Sequence, residues 1–183
     1  MLPQLQHLAE ADSLSVGAET PRIPSCPISA GLLNLSGMKT TPEQNKALIR
    51  RFCEEVWNCG RFDSAMEIFA TDYVRHDLRP GNPVSGPEGQ MRIATDFRSA
   101  FPDLTMTVDL MIAEGDMVVV RWTTKGTHTG QWGKVLPTGK HATFSGVNIF
   151  RIENGKVAEL WNHRDDLGLM QQLGVPIYAG SKE

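Results

Sequence analysis

The residues best suited to chemistry lie together near the C-terminal end, in the run Trp161-Asn162-His163-Arg164-Asp165-Asp166. This run brings two carboxylates, an imidazole, a guanidinium and an amide within six positions. A carboxylate beside an indole can have a raised pKa and accept a proton, and an imidazole can donate or orient one. The run therefore predicts Asp165 as a general base, His163 or His76 as its proton partner, and Asn162 as a donor to a developing oxyanion.

Other roles are open to the same side chains. Asp165 could instead form a buried ion pair with Arg121 or Arg164, and Asp166 is predicted to cap the helix that follows. Alternation along a strand places Asn162 on the face opposite Asp165. The strand must therefore end or bulge before Asp165 if both side chains are to reach one cavity.

Further candidates lie in apolar segments. Arg121 interrupts the apolar run 117–122, and a buried guanidinium needs a carboxylate or a ligand oxygen, because an unpaired buried charge is very costly. We predict that Arg121 binds a substrate oxygen. His128 lies in a Gly-Thr loop, where a turn hydrogen bond is the alternative to a role in the pocket. The other predicted pocket residues, of which the aromatic members could equally be core, are Trp57, Ile93, Phe97, Trp122, Asn148 and Trp161.

The motifs of metal and cofactor enzymes are not found in the sequence. No two of His76, His128, His141 and His163 have helical or hairpin ligand spacing, so no metal site is predicted. Nucleophile elbows, phosphate loops and dinucleotide fingerprints are also missing. We therefore predict acid–base chemistry without a cofactor.

Composition indicates a soluble globular domain. The chain has 183 residues, of which 40% are hydrophobic and 21% charged, and its net charge is −3. There is no block of Lys and Arg interleaved with aromatic residues, which argues against nucleic acid as a partner. No apolar run approaches the roughly 18 residues of a membrane span, so we predict a cytoplasmic protein.

Residues 1–38 differ in character from the rest of the chain. Pro3, Pro21, Pro24 and Pro27 interrupt any helical or strand period. We predict a disordered extension over 1–38 and one folded domain over 39–183. Since Met38 stands directly before the first helix, we hypothesise that it is the physiological start, which N-terminal sequencing of native protein would test.

Within the folded part, helix signals come first and strand signals follow. A capping box predicts a helix from Thr41, and two further helices are predicted at 63–69 and 87–101. Period-two alternation then predicts strands at 104–112, with one buried face, and at 117–127. Asn154-Gly155 predicts a tight hairpin between two more strands, and a last helix ends before Gly174. This order predicts an α+β fold in which a curved antiparallel sheet packs on N-terminal helices and encloses a mostly apolar pocket.

Several short motifs occur in a fixed order between residues 40 and 175: Gly60-Arg61, Asp72-Tyr73, Gly86-Pro87, Ala100-Phe101-Pro102-Asp103, Gly126-Thr127-His128-Thr129-Gly130, Asn154-Gly155-Lys156-Val157 and Gln172-Leu173-Gly174. Together they resemble the SnoaL-like polyketide cyclases, or ester cyclases. The resemblance implies a cone-shaped barrel of the nuclear transport factor 2-like superfamily, a homodimer formed through the outer sheet face, and a role in polyketide metabolism. It also implies an intramolecular aldol reaction on a polyketide ester without metal or organic cofactor.

The resemblance also suggests roles for individual positions. The acid–base aspartate of those cyclases falls at Asn162, and a histidine on their preceding strand falls at Asn148. Asp165 matches an aspartate that is common in the family. Positions matching Trp57 and Ile93 shape the ligand cavity.

We therefore predict a cofactor-free cyclase, isomerase, dehydratase or hydrolase that acts on a small or polycyclic hydrophobic carbonyl compound. One alternative is a non-catalytic ligand-binding or dimerisation module on the same fold, which the two asparagines favour. Another is a relative of the epoxide hydrolases that activates water with a carboxylate. Fold alone does not choose among these functions.

Overall fold

The structure is a computed structural model that describes residues 39–76 and 84–176. The predicted extension over 1–38, and with it the proposed start at Met38, lies outside the described residues. No helix in the described ranges is long and apolar enough to cross a membrane.

The helical layer begins with α1 (Pro42–Arg51), which continues into a π-helical segment (Phe52–Asn58). The predicted capping box is present: the Thr41 hydroxyl accepts from the Gln44 N–H at 3.2 Å, and Gln44 Oε1 accepts from the Thr41 N–H at 2.8 Å. Next comes α2 (Ser64–Ile68), which is shorter than predicted because Phe69 is already extended. The third helix, α3 (Gly86–Ala100), ends before Pro102 as predicted.

The second layer is a curved sheet of six strands, ordered β2-β1-β6-β5-β4-β3. They are β1 (Phe69–His76), β2 (Val84–Ser85), β3 (Thr105–Glu114), β4 (Met117–Thr127), β5 (His141–Glu153) and β6 (Lys156–Arg164). All neighbouring strands pair antiparallel except β1 and β6, which pair parallel. A final helix, α4 (Asp166–Leu173), packs on β5. The prediction of an α+β fold with a curved sheet on helices is confirmed.

The hairpin at Asn154-Gly155 forms as predicted. Both residues have positive φ, 51° and 75°, which matches the right-handed twist of the strands they join. The turn pairs Glu153 with Lys156, and a one-residue shift further along the β5–β6 pairing then places Asn148 directly opposite Asn162. The two amides predicted at the chemical centre are thereby brought onto neighbouring strands.

The prediction that β3 buries one continuous face is wrong. The pairing with β4 shifts between Val108 and Leu110, so Asp109 forms a bulge. A bulge adds one residue to one strand and reverses which face the following side chains occupy. Leu110 and Ile112 are consequently 52% and 56% exposed on the outer face of the sheet.

Candidate active site

A cavity lies between the inner face of the sheet and the helical layer, and its empty space, including space open to solvent, is about 430 Å³. Its walls are mainly aromatic and aliphatic, with polar groups on β1, β4, β5, β6 and α3. This is the usual composition of a small-molecule site. The described residues that line it are Phe52, Trp57, Arg75, Gln90, Ile93, Phe97, Leu104, Met106, Trp122, Thr124, Phe144, Asn148, Leu160, Asn162 and Arg164.

A wider cleft of about 1,040 Å³, which includes space open to solvent, adjoins this cavity. Four residues line both spaces: Arg75, Ile93, Phe97 and Arg164. The cleft is bounded further out by Trp132 and its loop. A ligand can therefore reach the cavity from the cleft side, between α3 and the end of β6.

Arg75 is the centre of the polar end of the cavity. It is only 6% exposed, and its Nη2 donates to Asn162 Oδ1 at 2.9 Å. Its Nη1 donates to Gln90 Oε1 at 3.3 Å, and the Tyr73 hydroxyl donates to the same oxygen at 3.2 Å. The cation is thus held by amide oxygens from both layers of the fold.

A second link joins the two strand amides. Asn162 Nδ2 donates to Asn148 Oδ1 at 2.6 Å, so a hydrogen-bonded chain runs from Arg75 through Asn162 to Asn148. The chain orients both amides, because the oxygen of Asn162 is engaged by a cation and its nitrogen by a carbonyl oxygen. Amide and guanidinium groups donate hydrogen bonds at neutral pH but do not remove protons.

Arg164 lies at the boundary between cavity and cleft. Its guanidinium carbon is 4.9 Å from the ring centre of Phe97 and 5.2 Å from that of Trp132. Its Nε donates to Asp166 Oδ1 at 2.5 Å. A guanidinium over aromatic faces is favourable and well ordered, so Arg164 forms a fixed cationic rim.

Three polar atoms on lining side chains are shielded from solvent and have no hydrogen-bond partner among the described residues. They are Gln90 Nε2, Trp122 Nε1 and Thr124 Oγ1. A buried donor without a partner is destabilising, commonly by about 1–3 kcal/mol. Such atoms are therefore noteworthy when they surround a cavity.

The family model described as SnoaL-like polyketide cyclase matches residues 47–173, well over half of the chain. The chain belongs to the SnoaL-like polyketide cyclase family. The matched segment runs from α1 to the end of α4, so it includes every residue that lines the cavity.

Curated cyclases and solved structures are both similar to this chain. The aklanonic acid methyl ester cyclase DnrD of Streptomyces peucetius is 28% identical over 131 residues, covering 70% of this chain and 90% of its own. The nogalonic acid methyl ester cyclase of Streptomyces nogalater is 26% identical over 121 residues, covering 66% of this chain and 90% of its own. Among solved structures, TsrD from Streptomyces laurentii has a TM-score of 0.68 at 27% identity, covering 75% of this chain and 100% of its own.

IdmH from Streptomyces antibioticus has a TM-score of 0.63 at 30% identity, and the match covers 72% of this chain and 99% of that one. A protein with a ketosteroid isomerase-like fold from Catenulispora acidiphila has a TM-score of 0.60 at 16% identity, which bears on the fold alone. Together these structures place the SnoaL-like chain in the nuclear transport factor 2-like fold class.

Half of the pocket residues predicted from sequence line the cavity of this SnoaL-like protein. Their side chains come from the π-helical segment, α3, β4, β5 and β6. They are Trp57, Ile93, Phe97, Trp122, Asn148 and Asn162.

The structure does not place Asp165 in the cavity, which corrects its expected position. It is exposed and is the N-cap of α4, where its Oδ1 accepts from the Gly168 N–H at 2.8 Å. Asp166, expected to be the cap, is paired with Arg164 instead. The strand ends at Arg164 and the chain turns into α4, so the Asp165 carboxylate is used at the helix end.

His76, His163 and Trp161 also lie outside the cavity. Because Arg75 and Asn162 face inward, their neighbours in sequence face the outer side of the sheet. The His76 ring stacks on Trp161 with 4.7 Å between ring centres, and its Nε2 is 2.7 Å from Glu159 Oε2. His163 is exposed.

Arg121 and His128 differ from prediction for separate reasons. Trp122 faces inward, so Arg121 faces outward, where its Nη1 donates to Asp109 Oδ2 at 2.5 Å. His128 is fully buried beside Phe101, outside the cavity lining, and its Nδ1 accepts from the Thr138 N–H at 3.3 Å. Burial lowers the pKa of His128. The structure thus favours the turn hydrogen bond that the sequence left open for His128.

Four polar lining residues were not predicted from the sequence: Arg75, Gln90, Thr124 and Arg164. Two of them had a usable signal, since Thr124 follows Trp122 by two positions and Arg164 follows Asn162 by two on the same strand face. In the described ranges, no group of three or more His, Cys, Asp or Glu side chains is arranged to hold a metal ion.

Proposed function

We propose that this chain binds a small, largely apolar carbonyl compound in its cavity and promotes its cyclisation through an enolate, without a cofactor. The observation that carries this proposal is the chain Arg75–Asn162–Asn148 at the polar end of an otherwise apolar cavity. Family membership supports the reaction class, and the names of the curated relatives support a polyketide methyl ester as the substrate.

In the proposed reaction, the substrate loses the proton on the carbon between two carbonyl groups. The resulting enolate attacks a second carbonyl carbon, a carbon–carbon bond forms, and the carbonyl π electrons become an alkoxide that takes up a proton. Arg75 and the amide of Asn162 stabilise the negative oxygen at each stage, since oriented donors in a shielded site are effective oxyanion partners. Apolar walls hold the chain of the substrate in the folded geometry that the ring closure needs.

The proton acceptor is the unusual part of this proposal. Among the described residues that line the cavity, none is Asp, Glu or His. We propose that the enolate forms because its charge is stabilised beside Arg75, and that hydroxide in the adjoining cleft takes the proton and becomes water. Water then returns a proton to the alkoxide, which regenerates hydroxide. Such a reaction accelerates as hydroxide concentration rises, and it shows no acid limb from an enzyme carboxylate.

The same observation favours a second candidate, a binding protein without turnover. A cavity that stabilises oxyanions but supplies no base can hold a carbonyl ligand without converting it. Binding alone would then be the function, and the substrate-like ligand would be released unchanged.

The test is turnover of aklanonic acid methyl ester and nogalonic acid methyl ester by the wild type and by Asn162→Asp, with ring closure followed by mass-resolved chromatography. We expect slow wild-type turnover that rises with pH, and faster turnover in Asn162→Asp with a new acid limb from the added carboxylate. Asn162→Leu is the matched control, which fills the site without a donor and should lose turnover.

Each result has a distinct meaning. Ligand binding without turnover in the wild type would overturn the enzyme proposal and support the binding protein. Absence of binding would overturn both. Equal turnover in the wild type and Asn162→Leu would contradict the role given to the amide.

We further propose that the protein is a cytoplasmic homodimer that associates through the outer sheet face. Leu110 and Ile112 support association through this face, because two neighbouring large apolar side chains are exposed there. Cell fractionation would test the location.

A further inference from the structure

The inner face of β4 carries two unpaired donors at adjacent inward positions. Trp122 is 4% exposed and Thr124 is 1% exposed, and both line the cavity. Trp122 Nε1 and Thr124 Oγ1 are shielded from solvent and have no hydrogen-bond partner among the described residues. Gln90 on α3 adds a third such donor, Nε2, while its Oε1 is occupied by Arg75 and Tyr73.

The two β4 donors are separate from the Arg75–Asn162–Asn148 chain, whose members hydrogen-bond to one another, whereas Gln90 is linked to Arg75. Unpaired buried donors are uncommon in folded proteins and need an explanation. An indole N–H can only donate, and a Gln Nε2 can only donate, so the missing partner must be an acceptor. A ligand carbonyl oxygen meets that need, whereas a hydrocarbon face would leave the donors unpaired.

The strand next to β4 is built to hold the indole in place. Gly146 on β5 lies opposite Trp122 in the sheet, and a Cβ at Gly146 would collide with the six-membered ring of the indole and with the His163 carbonyl. The φ of Gly146 is not in the left-handed region, so close packing is the reason for glycine here. Trp122 is therefore seated across the neighbouring strand in one orientation.

We infer that Trp122 Nε1 and Thr124 Oγ1 form a second carbonyl-binding subsite that selects ligands carrying an acceptor oxygen away from the reacting enolate. Its ligand class is aromatic or fused-ring ketones and quinones. This inference rests on the proposed ligand-binding function of the same cavity. It explains why a polycycle with a carbonyl oxygen would bind more tightly than one without it.

The test compares two ligands of the same skeleton, 1-tetralone and tetralin, which differ by one carbonyl oxygen. Titration calorimetry of the full chain should give about tenfold tighter binding of 1-tetralone, since one net hydrogen bond contributes up to about that factor. Thr124→Val retains shape and Trp122→Phe retains an aromatic ring; each variant removes a donor and should reduce the preference severalfold. Together they should abolish it.

Gly146→Ala tests the seating of the indole without removing a donor. We expect it to weaken the preference for 1-tetralone in the same direction as Trp122→Phe. Asp165→Asn should leave the preference between the two ligands unchanged, because Asp165 is exposed at the start of α4 and does not line the cavity. Thermal unfolding of each variant confirms that it is folded.

The outcomes separate this inference from the proposed function. If both compounds bind wild type with equal affinity, the donor subsite is overturned while ligand binding stands. Binding of neither compound would overturn ligand binding in the cavity and the subsite with it. A preference for 1-tetralone that survives in the Trp122→Phe, Thr124→Val double variant would also overturn the subsite.

Discussion

Arg75 and Asn162 show how one residue step decides whether a side chain can take part in chemistry. Both lie on strands that meet in parallel, and both point to the cavity, while His76 and His163 beside them point away. The imidazoles suited to proton transfer are therefore on the outer face, and the amides suited to oxyanion binding are inside. Any carboxylate intended as a base would have to replace an inward residue.

The assignment of Asp165 as the N-cap of α4, outside the cavity, can be tested directly by substitution. Asp165→Ala removes the acceptor for the Gly168 N–H, so unfolding free energy should fall by about 1 kcal/mol while ligand affinity stays unchanged. Asp165→Asn retains an N-capping oxygen and should recover most of that loss. Urea denaturation and calorimetry measure the two effects.

A catalytic role for Asp165 would produce a different pattern. Asp165→Asn would then be as stable as the wild type but lose turnover, since an amide cannot accept the proton. If Asp165 is only a helix cap, Asp165→Asn should have both the stability and the turnover of the wild type.

Sequence could place the two amides on neighbouring strands, but it could not place Arg75. The Asn154-Gly155 turn joins the strands of Asn148 and Asn162, while their direct pairing also depends on a one-residue shift between β5 and β6. Arg75 is on a strand whose pairing with β6 shifts between Phe69 and Val74, so the inward phase at its end does not follow from local alternation. That phase depends on packing against a strand far away in sequence.

At the scale of elements, the loop after β4 closes one side of the site by docking on the end of α3. The Thr129 and Gly130 N–H groups both donate to the Ala100 carbonyl, at 3.1 and 3.0 Å. Trp132, in the same loop, packs on Phe97 and Phe101. The sequence placed His128 in a Gly-Thr loop, but the docking needs the end of α3, which only the folded chain supplies.

Gly130→Ala should therefore be destabilising by more than a loop substitution normally is. A Cβ at Gly130 would collide with the Ser99 carbonyl and the Ala100 backbone, so we expect a loss of about 1–3 kcal/mol in urea denaturation. Gly133→Ala is the matched control from the same loop: its φ is +57° and nothing lies within 4 Å of its Cβ. It should lose about 1 kcal/mol from backbone conformation alone.

The stability losses of the two variants must differ if close docking on α3 is the cause. If Gly133→Ala were as destabilising as Gly130→Ala, close docking on α3 would not be the cause.

For the whole molecule, stability should fall as the pH is lowered. Burial lowers the pKa of His128, so the unfolded chain gains that proton first and stability declines once pH drops below about 6.5. Hydrogen bonds with Arg151 and then His76 lower the pKa of Glu159. Its stabilisation is complete above the unfolded pKa near 4.3 and is lost as pH falls through the lower folded value.

Asp103 adds to the acid part of that curve and provides a control. Burial alone would raise the pKa of Asp103, but hydrogen bonds from the Thr127 N–H and hydroxyl, at 2.6 and 2.7 Å, outweigh it and lower the pKa. Urea denaturation between pH 8 and 3 should show the decline, and Asp103→Asn should flatten only the part below about pH 4. Equal stability at pH 7 and pH 4 would contradict these assignments.

Association through the outer sheet face is the last property of the whole molecule open to a direct test. The bulge at Asp109 turns Leu110 and Ile112 outward onto a sheet face, where a second copy could cover them. We expect the wild type to sediment as a dimer and Ile112→Lys as a monomer, because a buried unpaired ammonium opposes association. Leu136→Lys is the control: Leu136 is 69% exposed but lies in the loop before β5, so it should remain dimeric. A monomeric wild type at micromolar concentration, or dissociation by both variants alike, would argue against this face as the interface.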